Sequence, residues 1–239
     1  MNRLTILLVV LLGATFGAGG MWLAERAAPG SAVADKAGIE RVVHDYLLAN
    51  PEVIPQAMQK LQERESGRAV AASRSRIETP YPGAMMGNPN GDVTLVEFFD
   101  YNCGYCRASL PTIERLVKSD AKLRVVFREL PILAEESRDA ARASLAAAAQ
   151  GRFAAFHQAL YDAGPVSAQS IAAAARGTGV NLAKIPDDVD TEIAGNLGLA
   201  AKLGISGTPA WVVGDKVLSG ALPFDRLQEA IAEVRTGQD

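Results

Sequence analysis

Residues 93–106 read VTLVEFFDYNCGYC, and this stretch decides the fold. The continuous run of β-branched and aromatic residues from Val93 to Phe99 is typical of a strand that is buried on both faces. The pattern predicts a helix over 108–118 and a second strand over 123–130. The order strand, helix, strand predicts a βαβ unit in which two cysteines stand between the first strand and the helix.

The rest of the C-terminal part alternates between helical and extended patterns. Residues 135–203 are almost wholly helical in pattern and rich in alanine, which indicates an inserted helical subdomain. Strands are predicted at 210–213 and 216–219, joined by a Gly-Asp turn, and an amphipathic helix is predicted at 224–235. Together with the βαβ unit, these elements predict an α/β domain over residues 80–236.

The N-terminal part has a different character. Residues 1–25 hold one early positive charge and an apolar stretch, which is typical of a signal peptide or of a membrane anchor long enough to span a bilayer. Residues 26–37 form a linker, and 38–76 predict an N-terminal helical segment that breaks at Asn50-Pro51. Either form of the N-terminus places the folded body in the periplasm or on the extracytoplasmic face of the membrane, which is an oxidising compartment.

Composition argues against nucleic-acid binding, a fold held together by several disulfides, and a structural zinc site. The formal net charge is −3 and no basic stripe is present, so nucleic acid is not expected as a partner. Two cysteines are too few for a disulfide-stapled framework. A structural zinc site needs about four ligands, and the two histidines, His44 and His157, lie in different segments far from the cysteines. We therefore predict no metal, and no cofactor other than a redox-active disulfide.

Cys103 and Cys106 are placed for thiol–disulfide chemistry. A cysteine where a helix begins lies at the positive end of the helix dipole, beside backbone amides without intrahelical partners, and this favours the thiolate. Cys106 follows one helical turn later, close enough to form a disulfide with Cys103. We expect Cys103 to be the nucleophile at the exposed helix tip, and Cys106 to be turned inward as the resolving cysteine.

Two residues outside the cysteine motif are further site candidates. Glu97 stands in an otherwise apolar strand, where a buried carboxyl would serve to move the proton of the resolving thiol; the alternative is an acid at an exposed strand end in a surface ion pair. Pro209 opens a strand after Gly-Thr, which suits a cis bond beside an extended substrate as well as an ordinary trans turn. The residue types by themselves leave both pairs of alternatives open.

Two motifs, FFDYNCGYC at 98–106 and GISGTPA at 204–210, resemble those of a known family. They are similar to the DsbA-like branch of the thioredoxin superfamily. The resemblance implies a thioredoxin fold with an inserted helical subdomain and a cis bond before Pro209. It also implies two sets of site residues: catalytic Cys103, Cys106 and Glu97, and substrate-binding Gly104, Tyr105, Thr208 and Pro209.

The upstream segment VHDYLLANPEV at 43–53 resembles the N-terminal extension of the branch that contains the suppressor of copper sensitivity protein C and Com1-like proteins. In that branch the extension is associated with oligomers, so the resemblance implies a homo-oligomer formed through residues 38–76. The Gly-Tyr pair between the cysteines and the threonine before Pro209 are similar to those of the bacterial disulfide isomerases. The implied partners are unfolded or misfolded exported proteins that contain cysteine, and a membrane redox protein.

Two function classes stay open at this point. The first is an enzyme that forms, reduces or isomerises disulfides in exported proteins through Cys103 and Cys106. The second is a non-catalytic envelope binding protein in which the same cysteines form a permanent structural disulfide. Delivery of copper by two thiolates ranks last, because no cluster of methionine or histidine adjoins the motif.

Overall fold

The computed structural model describes residues 36–237, which divide into two compact units between Gln59 and Lys60. Helix α1 (Lys36–Ala49) lies in the first unit and ends where Asn50-Pro51 predicts a break. Helix α2 (Val53–Glu78) begins in the first unit and continues into the second. The predicted N-terminal helical extension is therefore present.

Helix α1 carries apolar side chains that remain exposed. None of its residues is buried. Its large exposed apolar side chains are Ile39, Val42, Val43, Tyr46 and Leu48. An amphipathic helix of this kind is stabilised when its apolar face is covered.

The second unit is built on a five-stranded mixed sheet. Its strands are β1 (Met85–Gly87), β2 (Val93–Phe99), β3 (Leu123–Glu129), β4 (Ala210–Val213) and β5 (Lys216–Ser219). Their order across the sheet is β1-β3-β2-β4-β5, with β2 and β3 parallel and the other pairs antiparallel. The thioredoxin fold is confirmed. The sequence analysis missed β1, because three residues that pair only at a sheet edge leave no alternating pattern.

Six helices complete the second unit. They are α3 (Gly104–Ser119), α4 (Glu136–Ala149), α5 (Phe153–Asp162), α6 (Ala168–Thr178), α7 (Val189–Lys202) and α8 (Phe224–Thr236). Helices α4 to α7 form the predicted helical insertion. Helix α3 begins immediately after Cys103, four residues earlier than the sequence pattern indicated.

Alternate residues of β2 and β3 face two separate cores. Val96 and Phe98 pack in one core with Val70 and Ile77 of α2, so the later part of α2 belongs to the sheet unit. Buried Arg128 of β3 holds the end of that helix, because its guanidinium donates to the carbonyls of Arg76, Ile77 and Thr79 and pairs with Glu192 at 2.6 Å. The domain boundary predicted at 76–80 thus lies inside a compact unit.

The second core, on the other side of the sheet, surrounds the cysteines. It contains Leu95 and Phe99 of β2 and Phe127 of β3, together with apolar residues of α3, α5 and α8. Cys103 and Cys106 are part of this cluster. The fold therefore places the motif against the central strands.

Between residues 36 and 237, no helix is long and apolar enough to cross a membrane. The predicted signal peptide or anchor at 1–25, and most of the linker at 26–37, lie outside the described residues.

Candidate active site

Cys103 caps the N-terminus of α3. Its backbone N–H donates to the Asp100 carbonyl at 3.0 Å, and its sulfur accepts the backbone N–H of Cys106 at 3.3 Å. On its other side, the thiol donates to the Thr208 carbonyl at 3.2 Å. An N–H donor and a helix N-terminus directed at the same sulfur stabilise negative charge there.

Both cysteines are thiols and both are buried, Cys103 with 5% of its surface exposed and Cys106 with 1%. Cys106 is turned inward as predicted. The expectation of an exposed tip for Cys103 is wrong, because the Thr208 carbonyl lies against its sulfur.

The surroundings of the Cys106 thiol keep it protonated. Burial raises the pKa of the Cys106 thiol well above its usual range, and the nearby carboxyl of Glu97 raises it further. Cys106 therefore holds its proton at neutral pH and needs a base before it can attack a disulfide.

Glu97 lies in the centre of the sheet, in register with Phe127 of β3 and Trp211 of β4. It is 1% exposed, and neither carboxyl oxygen has a hydrogen-bond partner among the described residues. The alternative of a surface ion pair at an exposed strand end is therefore wrong. Burial raises the pKa of Glu97 well above its usual range, and charge on Cys103 raises it further.

The proline loop faces the cysteine pair. The Thr208–Pro209 bond is cis. The residue types alone had left a cis bond and an ordinary trans turn as alternatives. The Thr208 hydroxyl is buried and has no hydrogen-bond partner among the described residues. Gly104 is exposed and Tyr105 is 71% exposed, so the predicted substrate-binding residues lie beside the cysteines, two of them on the first turn of α3.

Asp100 organises the turn before Cys103, and the sequence analysis did not identify it. One carboxylate oxygen accepts the N–H of Asn102 at 2.8 Å and the hydroxyl of Ser137 at 2.7 Å. The other accepts the N–H groups of Ile132 and Leu133 at 2.8 and 2.9 Å. One buried carboxylate thus joins the turn that leads into Cys103 to the loop that leaves β3, and its position directly after a buried strand was the available signal.

His157 packs behind the motif rather than in it. Its ring lies 4.9–5.4 Å, centroid to centroid, from the rings of Phe99, Tyr101, Phe127, Phe153 and Tyr161. Burial lowers its pKa to about 3, so the imidazole is neutral. These contacts make His157 a packing residue of the core that surrounds the cysteines.

A second buried acid, Glu129, was also missed. It ends β3 and is 2% exposed. Burial raises its pKa well above the usual range, while a hydrogen bond from Ser144 acts in the opposite direction. Its position near the end of an apolar strand is the same sequence signal that identified Glu97.

Among residues 36–237, no three His, Cys, Asp or Glu side chains come together in a way that would hold a metal ion.

Comparisons with known proteins identify the family of each part of the chain. The family profile of the DSBA-like thioredoxin domain matches residues 94–232, and the copper resistance protein ScsC N-terminal domain matches residues 35–66. No curated protein sequence matches the chain.

Several solved structures are similar. A linker-deletion mutant of ScsC from Proteus mirabilis is 30% identical, with a TM-score of 0.72 over 88% of this chain and 99% of that one. A periplasmic thioredoxin-like protein from Salmonella enterica serovar Typhimurium is 30% identical, with a TM-score of 0.63 over 67% of this chain and 94% of that one. The thiol-disulfide exchange protein alpha-DsbA2 from Wolbachia pipientis is 27% identical, with a TM-score of 0.66 over 73% and 98%.

Proposed function

The chain belongs to the DsbA-like thioredoxin family of thiol–disulfide oxidoreductases, and we propose that it exchanges disulfides with exported proteins through Cys103 and Cys106. The position of the Cys103 sulfur carries this proposal. It accepts the Cys106 N–H at 3.3 Å and lies 3.2 Å from the Thr208 carbonyl. One side of the sulfur meets a helix N-terminus that favours the thiolate, and the other meets a loop beside which a substrate disulfide can be attacked.

Exchange proceeds in two balanced steps. The Cys103 thiolate attacks a substrate disulfide, which forms a mixed disulfide and releases one substrate sulfur as a thiolate that takes a proton from solvent. Cys106 then loses its proton and attacks the Cys103 sulfur. This forms the Cys103–Cys106 disulfide and releases the second substrate sulfur. The reverse sequence donates a disulfide to a substrate dithiol, and isomerisation results when a substrate thiolate, not Cys106, attacks the mixed disulfide.

Glu97 is the base for the second step. Its carboxylate receives the proton of Cys106 as that thiol becomes the attacking thiolate, and in the reverse direction returns the proton as Cys106 leaves. Its burial without a hydrogen-bond partner among the described residues supports this role, because a desolvated carboxyl of raised pKa is closer in basicity to a thiol. The Cys103–Cys106 dithiol supplies two electrons when a substrate disulfide is reduced, and the Cys103–Cys106 disulfide accepts two electrons when a substrate dithiol is oxidised, so the mechanism uses no further cofactor.

Substrate binds beside the sulfur, on the surface made by Tyr105, Gly104 and the loop at Thr208-Pro209. Tyr105 presents a large apolar ring to solvent, as contact with unfolded polypeptide requires. Nothing lies within 4 Å of where a Cβ on Gly104 would be, so the surface beside the cysteines is open at this point. The substrates are unfolded or misfolded exported proteins that contain cysteine.

The site works in the periplasm or on the extracytoplasmic face of the membrane. A cysteine pair that cycles through a disulfide suits an oxidising compartment, and one similar structure is a periplasmic protein. A membrane redox protein then restores the starting state of Cys103 and Cys106.

Helix α1 and the start of α2 form a homo-oligomer contact. The exposed apolar side chains of α1 support this, as does the match of residues 35–66 to the ScsC N-terminal domain. A second copy of the same helix is the partner, since it offers the same apolar face. Several active sites held around one substrate raise the local concentration of thiols, which suits isomerisation.

Two parallel assays test the proposal. The purified protein is given a scrambled, multiply disulfide-bonded substrate, and in a second reaction the same substrate in its fully reduced form. Recovery of activity from scrambled substrate identifies an isomerase, and recovery only from reduced substrate identifies an oxidase. The Cys103→Ser protein is expected to be inactive in both.

The same assays test the alternative that the two cysteines form a permanent structural disulfide. If the cysteines were a permanent bridge in a binding protein, wild type and Cys103→Ser would give equal and negligible turnover. That result would overturn the proposed function.

A further inference from the structure

Asp100 contacts both cysteines of the site through its backbone. It stands between the end of β2 and Cys103, and 1% of its surface is exposed. Its carbonyl accepts the backbone N–H of Cys103 at 3.0 Å. Its backbone also hydrogen-bonds to the Cys106 thiol in the sense that lowers the pKa of that thiol, so the bonding group is the N–H donor. The Asp100 backbone is therefore tied to the nucleophile and to the resolving cysteine.

The side chain of Asp100 holds this backbone in place. Its carboxylate accepts hydrogen bonds of 2.7–2.9 Å from four donors, which are the backbone N–H groups of Ile132, Leu133 and Asn102 and the hydroxyl of Ser137. Its carbonyl accepts, in addition, the Tyr161 hydroxyl at 3.0 Å. The loop after β3, helix α4 and helix α5 thus all hold Asp100 where it stands.

A carboxylate is the side chain that these four neighbours require. All four donate, and a carboxylate accepts without donating. An asparagine of the same shape would direct its NH₂ group either at the N–H groups of Ile132 and Leu133 or at the N–H of Asn102. Buried donors would then face each other, which is costly. The Asp100 backbone would lose its support.

The two sulfurs depend on Asp100 in different ways. The Cys103 sulfur accepts the N–H of Cys106 and lies at the N-terminus of α3, so the groups that stabilise its charge belong to α3 itself. The Cys106 sulfur takes an N–H from Asp100, which lies outside that helix. A displaced Asp100 therefore removes a donor from the resolving sulfur and leaves the donors of the nucleophile.

We propose that Asp100 is a positioning residue for the resolving step: its carboxylate holds the Asp100 N–H against the Cys106 sulfur, where it stabilises the negative charge needed for attack. This rests on the proposed function. In that step the proton leaves Cys106 for the Glu97 carboxylate, and the Cys106 sulfur bonds to the Cys103 sulfur. The bond from Cys103 to the substrate sulfur breaks and releases a substrate thiolate. The dithiol is oxidised by two electrons, the substrate is reduced by two, and Asp100 neither gains nor loses a proton.

The test follows the reaction of the purified, reduced protein with an aromatic disulfide whose released thiol is coloured. Attack by Cys103 releases the first equivalent, and attack by Cys106 on the mixed disulfide releases the second. Asp100→Asn is expected to slow the second phase about tenfold, because the resolving thiolate loses one charge-assisted hydrogen bond. The first phase should stay close to that of wild type.

Two further variants separate position from charge. Asp139→Asn removes the same charge from an exposed side chain on the first turn of α4, and should leave both phases unchanged. Ser137→Ala removes one of the four donors, and should slow the second phase less than Asp100→Asn does. Loss of negative charge by itself would favour the Cys106 thiolate and speed the second phase, so the sign of the change distinguishes the two effects.

Two kinetic results would overturn the inference. One is a second phase in Asp100→Asn that is as fast as that of wild type, or faster. The other is an equal loss in both phases, which would assign Asp100 to folding alone. If wild type releases no second equivalent, the proposed function fails instead, so the two failures are distinguishable.

An NMR measurement covers the case in which Asp100→Asn does not fold. Cys106→Ala removes the acceptor of the Asp100 N–H, and should move the amide proton resonance of Asp100 upfield. The amide protons of Ile132 and Leu133 keep the Asp100 carboxylate as their acceptor and serve as the internal control. An Asp100 resonance that moves no more than these two would overturn the inference.

Discussion

Replacing His157 with Phe should make the protein less sensitive to acid. His157 is enclosed by aromatic rings, and burial lowers its pKa from 6.5 to about 3. In the unfolded chain the imidazole returns to its ordinary range. In the unfolded chain His157 is therefore protonated below about pH 6.5, whereas in the folded protein it is protonated only below about pH 3.

The lowered pKa of His157 makes the folded protein less stable in acid. A group whose folded pKa is lowered stabilises the protein above its unfolded pKa, and that stability is lost as the pH falls. At about pH 4.5, two pH units below the unfolded pKa, protonation stabilises the unfolded chain by about 2.5 kcal/mol relative to about pH 7. This is a large part of a total stability of about 5–15 kcal/mol.

Urea unfolding followed by the fluorescence of buried Trp211 measures the effect. The free energy of unfolding of wild type should fall by about 2.5 kcal/mol more than that of His157→Phe between about pH 7 and about pH 4.5. Other acids titrate in both proteins, so their contributions cancel in the difference.

A matched control shows whether burial or hydrogen bonding causes the lowered pKa of His157. Tyr101→Phe removes the hydroxyl 3.0 Å from Nδ1 but leaves the imidazole buried. Because burial is the cause of the lowered pKa, this variant should keep the full acid sensitivity of wild type. If the free energy of unfolding fell equally in wild type and His157→Phe between about pH 7 and about pH 4.5, the lowered pKa of His157 would not be a cause of acid sensitivity.

Three further predictions concern the exchange reaction, the docking of α2 and the N-terminal contact. Cys106→Ser should accumulate mixed disulfides between Cys103 and substrate proteins, visible as thiol-sensitive bands in non-reducing gels, and an unchanged turnover would contradict its role as resolver. Arg128→Met should lower the free energy of unfolding by about 3–5 kcal/mol, because Glu192 and the carbonyls at the end of α2 lose a buried partner; a loss under about 1 kcal/mol, measured in urea, would show that this contact is not a strong one. Val42→Glu should reduce the sedimentation coefficient of the full chain without changing exchange with a small disulfide, and a wild-type chain that sediments as a monomer would exclude the oligomer.

The sequence by itself determined the elements around the motif. The run from Val93 to Phe99 has the β-branched and aromatic composition of a buried strand, and the structure forms a strand over the same residues. The hairpin strands at 210–213 and 216–219 are also as predicted. These predictions succeed because hydrophobic periodicity and turn formation are local properties, which depend on residues that are close together in the sequence.

Tertiary structure alone decided how far each polar group of the site is buried. Glu97 and Glu129 have similar local sequence surroundings, yet their hydrogen bonding differs because only Glu129 meets a hydroxyl from α4. Cys103 was expected at an exposed tip, and it is covered by a carbonyl that is 105 residues away in the chain. Contacts of this kind depend on which distant segments meet, and no periodicity within one segment encodes them. The sequence by itself therefore identified Cys103, Cys106 and Glu97 as candidates for the chemistry, whereas the packing of distant elements determined the burial and the hydrogen-bond partners of each one.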